Sequence, residues 1–197
     1  LTQAVFEKWV GLFHAFKAVT IGERATLFRQ FAVFLIRHGV EAHIPDLRLL
    51  PIRRKTYTPH VFTHNQIKRL LAAASRLKKC KCSPSRHIIM PALFRLLYCC
   101  GLRVGEALRL KVKDVNLKSG TLVIRNSKFG KDRLVLMAPD LTEAMRRYDQ
   151  KMETRKNEDY VFPSPEGGGY SPVRIYTFFR QLLTKIGIPH GGRGRGP

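Results

Sequence analysis

The chain has 197 residues, with 36 Lys plus Arg against 14 Asp plus Glu, a formal net charge of +22 and a pI near 10.6. With 44% hydrophobic residues and 12 Phe it is globular and not a disordered basic tail, and at roughly 100 to 200 residues per domain it allows one or two compact domains. So much positive charge points to a polyanion, because each phosphate neutralised by Lys or Arg releases condensed counterions; nucleic acid leads and an acidic membrane surface comes second.

In chain order, Phe6, Val10, Phe13 and Phe16/Lys17 mark one helical stripe. Leu27/Phe28, Phe31, Phe34/Leu35 and His38 mark a second, stopped by Gly39. Pro45, Pro51, the triplet Arg53-Arg54-Lys55 and Pro59 then read as a linker, which places a helical domain over 1–50, a basic linker over 51–60 and a second domain over 61–197. Through Tyr57 there are nine basic and four acidic residues, and 27 against ten follow, so both parts are basic. Thr63-x-x-Gln66 has the form of a capping box ahead of Ile67, Leu70, Leu71 and Ala74. A basic loop over 78–84 precedes an apolar helix through Ile88, Ile89, Leu93, Leu96 and Leu97. Gly101 breaks that helix, and a further one runs from Arg103 to Leu110. Thr121 to Arg125 and Arg133 to Met137 read as a β-hairpin around the polar tip Asn126 to Asp132. Asp140-x-x-Glu143 is expected to cap another helix, and Ser171-Pro172 opens one through Ile175, Phe178, Phe179, Leu182 and Ile186. The fold class is therefore mainly α with a small antiparallel β-sheet.

Several chemistries are set aside. There is no G-x-x-x-x-G-K-[ST], and the C-terminal glycines follow a helix rather than a strand, so neither phosphate-binding loop is present and no nucleotide cofactor is expected. Cys80 and Cys82 form C-x-C, and Cys99 and Cys100 are adjacent. Neither pattern is a spaced disulfide framework or a pair of C-x2-C zinc motifs, which suggests a reduced, cytoplasmic protein. His60 and His64 lie four apart but have no carboxylate or Cys placed to help them, so no metal site is assigned. The longest apolar run, Phe31 to Ile36, is far shorter than the ~20 residues that cross a bilayer, so no membrane partner is expected. With so few acidic residues, phosphoryl chemistry would rest on cations rather than on carboxylate-held metals.

The run Gly101-Leu102-Arg103-Val104-Gly105-Glu106-Ala107-Leu108-Arg109-Leu110, then Asp114, then the hairpin, resembles the tyrosine recombinases, the phage-type integrases. Their signature G-L-R-x-x-E-x-x-x-L lies at a helix corner and is followed by an acidic residue and a hairpin lysine. Ser127-Lys128-Phe129-Gly130-Lys131-Asp132-Arg133 is similar to the family's G-K-x-x-K-x-R, which makes Lys128 rather than Lys131 the catalytic lysine. The resemblance implies a helical core-binding domain followed by an α+β catalytic domain, with double-stranded DNA as partner and further copies of the chain joined on it in a synaptic tetramer. It also implies strand breakage and rejoining through a 3′-phosphotyrosine, without a cofactor. Arg103 and Lys128 would be catalytic, Glu106 supporting, and Lys131, Arg133, Arg53, Arg54 and Lys55 would bind DNA. Chemistry agrees for Arg103: a guanidinium offers a planar fork to two non-bridging phosphate oxygens, where charge grows during attack. Glu106, three residues on, shares its face.

Taken one at a time, these features are unremarkable: Arg103 and Glu106 could be a surface ion pair, and Lys128 and Lys131 solvated charges. Their joint order and spacing carry the assignment. The family's later H-x-x-R box and tyrosine nucleophile are not found. His190-Gly191-Gly192-Arg193 has the spacing but a loop's glycine-rich setting, and Tyr57, Tyr98, Tyr148, Tyr160, Tyr170 and Tyr176 all precede the place where the nucleophile belongs. The expectation is that this chain is a piece of a longer enzyme, incomplete at both ends, which binds DNA without cutting it. The alternative is a basic architectural DNA-binding protein that never had a nucleophile. An RNA-binding protein is more distant, since no RNP-type aromatic strand motif is present.

Overall fold

The computed structural model describes residues 1–16, 18–49, 60–127 and 130–189. The chain forms two compact units, Leu1–Thr58 and Pro59–Pro197. In the first, Thr2 caps helix α1 (Gln3–Gly11) by accepting from the Val5 N–H, and α2 (Ala18–Arg37) runs to Gly39, whose φ of 77° ends the helical run. The helices pack through Phe6 and Phe28, ring centroids 4.9 Å apart edge to face, with Trp9 5.2 Å from Phe28.

This corrects the expected stripes. Phe13 and Phe16 lie beyond the end of α1, and α2 buries Gly22, Ala25, Phe28 and Ala32 while Leu27, Phe31 and Phe34 stay exposed. Ala25 packs with Phe28 against Phe6 of α1, so the buried face of α2 is built from small residues around one aromatic rather than from its larger apolar side chains.

In the second unit the capping box at α3 (His64–Ser75) is formed as expected. The Gln66 N–H donates to Thr63 Oγ1 at 3.2 Å, and the Thr63 N–H donates to Gln66 Oε1 at 2.9 Å. Helix α4 (Arg86–Cys100) is the centre of the core: Ile89, Met90, Leu93 and Leu96 are fully buried, and each such side chain is worth about 1.5–3 kcal/mol of transfer free energy. Gly101, with φ 58°, turns the chain in a left-handed conformation that a β-carbon disfavours, and α5 (Val104–Arg109) starts three residues later.

A three-stranded antiparallel sheet follows, in the order β1 (Val115–Asn116), β2 (Thr121–Ile124), β3 (Arg133–Leu136). Ile124 pairs with Arg133 at the head of the hairpin, and Leu122 and Ile124 point into the core. The two-residue β1 is an addition to the sequence reading, as is the 3₁₀ turn Val112–Asp114 before it. Gly120, φ 69°, joins β1 to β2 where a β-carbon would come within 2.9 Å of Thr142 Oγ1, so glycine is required there. Helix α6 (Pro139–Lys151) begins at Pro139 rather than being capped by Asp140, whose carboxylate accepts instead from the adjacent Leu141 N–H. Ser171 Oγ accepts from the Arg174 N–H and opens α7 (Pro172–Lys185), as its Ser-Pro start predicts. Phe162, Ile175 and Leu182 belong to the same buried core as the α4 residues, in a mainly helical fold with a small sheet.

Candidate functional site

The site grows from the corner between α4 and α5. Left-handed Gly101 redirects the chain so that Arg103 becomes the N-cap of α5 with extended backbone, φ −67° and ψ 145°. Glu106, one turn on, reaches back: the Arg103 N–H donates to its Oε2 at 2.9 Å, and Arg103 Nη1 donates to its Oε1 at 2.8 Å. A carboxylate at the third helical position commonly takes the N-cap N–H, so local sequence alone orients this pair.

The hairpin completes the cluster. Ser127 Oγ donates to Glu106 Oε1 at 2.9 Å, Arg133 Nη1 donates to the same oxygen at 2.9 Å, and Arg133 Nη2 donates to Oε2 at 2.8 Å. Among the described residues Glu106 therefore accepts five hydrogen bonds from three chain segments, with its side chain 2% exposed. The Arg133 bonds, more than any other partner, hold its carboxyl well below the usual carboxylate range against the opposing effect of burial. Removing a partner from a buried charge of this kind typically costs ~3–5 kcal/mol, so the anion is a fixed element of the site.

Arg103 is the outward face of the cluster, its side chain 61% exposed. Its contacts use Nη1, the second being Ser127 Oγ at 3.4 Å. Among the described residues, Nε and Nη2 have no hydrogen-bond partner, and these two groups form the side-on edge of the guanidinium. An arginine held by one nitrogen with that edge open is set to receive two oxygens of a phosphate.

A second carboxylate repeats the device eight residues later. The Lys111 N–H donates to Asp114 Oδ2 at 3.1 Å, and Arg125 Nε donates to Asp114 Oδ1 at 2.7 Å, so buried Asp114 holds the end of β2 as Glu106 holds the start of β3. Across the tip, the Ser127 N–H donates to Lys131 O at 3.0 Å, and the Asn126 N–H donates to Asp132 Oδ1 at 2.9 Å.

Of the residues singled out in the sequence, the structure brings Arg103, Glu106 and Arg133 together and leaves Lys131 exposed on the tip. Lys128, Arg53, Arg54 and Lys55 lie outside the described residues, as does His190-Gly191-Gly192-Arg193. Ser127 and the Arg125–Asp114 pair were not anticipated; Asp114 was noted only for its place in the signature. No group of three or more His, Cys, Asp or Glu among the described residues could hold a metal, and no described helix is long and apolar enough to cross a membrane.

Comparison with known proteins agrees with this geometry. The model of the phage integrase family matches residues 60–193. The Sinorhizobium fredii protein y4rB, an integrase/recombinase by name, is 34% identical over 177 residues, covering 86% of this chain and 55% of its own length. Tyrosine recombinase XerD of Rhizobium meliloti is 28% identical over 176 residues, covering 88% of this chain and 56% of its own. The chain thus spans about half the length of these relatives. Among solved structures, the XerA recombinase crystal structure superposes with a TM-score of 0.56 at 26% identity, covering 93% of this chain and 61% of that one. The Tn1549 transposon integrase, solved with transposon right-end DNA, has a TM-score of 0.67 over 96% of this chain and 67% of its own; at 15% identity it supports the fold alone. Matched by the family model over most of its length and by y4rB above 30% identity, with the signature arginine and glutamate joined at the helix corner, the chain belongs to the phage integrase family.

Proposed function

We propose that the protein breaks and rejoins DNA strands at specific sites as a tyrosine recombinase, and that this chain supplies the arginine-and-lysine half of the site. The side-on edge of Arg103, without a hydrogen-bond partner among the described residues and beside a buried Glu106 that holds Nη1 and the backbone N–H, carries the reading. XerD and XerA are tyrosine recombinases by name, and the net charge of +22 favours a phosphate-bearing partner, which together support duplex DNA.

In this mechanism a tyrosine hydroxyl attacks the phosphorus, forming the 3′-phosphotyrosine bond while the bond to the 5′ oxygen breaks. Arg103 spans the two non-bridging oxygens, on which charge accumulates. Lys128 donates the proton that the departing 5′ oxygen takes up. The phosphotyrosine conserves the bond, so a second 5′ hydroxyl can reverse the step and rejoin the strand. The first unit, Leu1–Thr58, acts as a core-binding domain. Both units bind the duplex, Arg53, Arg54 and Lys55 contribute phosphate contacts, and further copies assemble on the DNA in the cytoplasm.

The DNA part is tested with the 197-residue chain by titrating duplex DNA at several salt concentrations. Each phosphate contact contributes about −0.9 to the slope of log K against log salt, so contacts from both basic units give a slope of about −3 or steeper. A slope near zero contradicts the reading.

A further inference from the structure

The motif reading groups Arg133 with the DNA-binding cations, but its surroundings give it a different job. Its guanidinium meets Glu106 end-on, Nη1 to Oε1 and Nη2 to Oε2, with Nη1 also 2.8 Å from Ser127 Oγ. Ser127 and Arg133 stand immediately before and just after the hairpin tip, and both close on the one carboxylate that holds Arg103. We propose that Arg133, assisted by Ser127, is a positioning residue: it occupies both oxygens of Glu106, so that Glu106, which also takes the Arg103 backbone N–H, engages the Arg103 guanidinium through Nη1 and leaves the phosphate-binding edge open.

The reason is competitive. A free carboxylate beside an arginine prefers a two-point, fork-to-fork pairing, and either such pairing, end-on through Nη1 and Nη2 or side-on through Nε and Nη2, would take Nη2 out of the edge that faces phosphate. With both oxygens of Glu106 already taken end-on by Arg133, and Oε1 also receiving Ser127, the carboxylate has less capacity left to take a second guanidinium nitrogen of Arg103. The same contacts tie the hairpin to the helix corner. Because Arg133 opens β3 opposite Ile124, the stem bearing the tip cannot shift without breaking bonds to the group that orients Arg103. Ser127 occupies the position where the motif it resembles has glycine, and its hydroxyl adds a bond to the latch.

This inference rests on the reading of Arg103 as the phosphate clamp, and the experiment separates the two. Arg133→Lys and Arg133→Ala are compared with Arg103→Ala in the full-length protein, measuring strand cleavage, DNA affinity against salt, and thermal unfolding. Lysine keeps a cation on Glu106 and so preserves the fold if alanine does not, yet it cannot hold both oxygens. Arg133→Lys is expected to leave the salt slope unchanged and to slow cleavage roughly 10- to 100-fold, the scale of a misplaced catalytic group. Adding Glu106→Gln to Arg133→Lys is expected to recover part of that loss, since a neutral amide no longer competes with phosphate for Arg103. A merely structural Arg133 would instead make the two losses multiply. A salt slope shallower by about 0.9 would make Arg133 a phosphate contact and overturn the inference, as would unaltered cleavage in Arg133→Lys or multiplying losses in the double variant. If Arg103→Ala itself cleaves normally, the clamp reading fails first; if Arg103→Ala is inactive while Arg133→Lys cleaves as wild type, only the positioning role falls.

Discussion

Replacing Arg103 by alanine in the full-length protein is expected to slow strand cleavage by about 10²- to 10³-fold while leaving affinity for duplex DNA close to wild type. The separation follows from where the charge sits. One guanidinium among 36 Lys and Arg contributes little to the summed attraction of the chain for a polyanion. The same guanidinium, held through Nη1 by a buried carboxylate, is proposed to meet the non-bridging oxygens, where negative charge increases between ground and transition state. Single-turnover cleavage read beside equilibrium binding checks it. A parallel loss of binding and cleavage would reduce Arg103 to an ordinary phosphate contact.

Lys128→Ala is expected to lose about 10²- to 10⁴-fold in cleavage and to regain most of it on a substrate with sulfur at the 5′-bridging position. A proton donor matters in proportion to the basicity of the leaving atom, and sulfur departs without needing a proton. Stabilisation of the non-bridging oxygens is needed whatever the leaving atom, so Arg103→Ala should not be rescued. Lys131→Ala should show little defect on either substrate. If sulfur rescues Lys131→Ala instead, the general acid is the second lysine of the tip and the motif has been aligned three residues out of place.

Much of this architecture is legible in the residues because it is local. Gly101 between two apolar helical runs, Thr63 and Gln66 at capping spacing, and Ser171-Pro172 each specify their own turn of chain, and the three-residue spacing of Arg103 and Glu106 is enough to pair them. The missed features are the non-local ones. Ser127 and Arg133 lie 21 and 27 residues from Glu106, and they meet it only because the pairing of Ile124 with Arg133 brings that end of the hairpin against α5. A motif identifies Arg133 as a cation of the hairpin without saying which anion it faces. On α2, counting large apolar side chains selects the face of Leu27, Phe31 and Phe34, whereas close packing uses Gly22, Ala25 and Ala32, which periodicity weights least. Strand β1 has two residues, too few for any alternation to show.

The central claim, that this corner and hairpin serve phosphoryl transfer on DNA, is tested most directly by trapping the covalent intermediate. Full-length protein is incubated with a duplex nicked close to the expected cleavage position, so that the released 5′ fragment diffuses away and the strand cannot be rejoined. The predicted result is a complex that survives denaturation, with DNA joined to a tyrosine through its 3′ phosphate and a free 5′ hydroxyl on the other side, and with Arg103→Ala giving little or none. Steep, salt-dependent binding to the same duplex without any covalent complex would contradict the account and leave a basic DNA-binding protein with no strand-transfer chemistry.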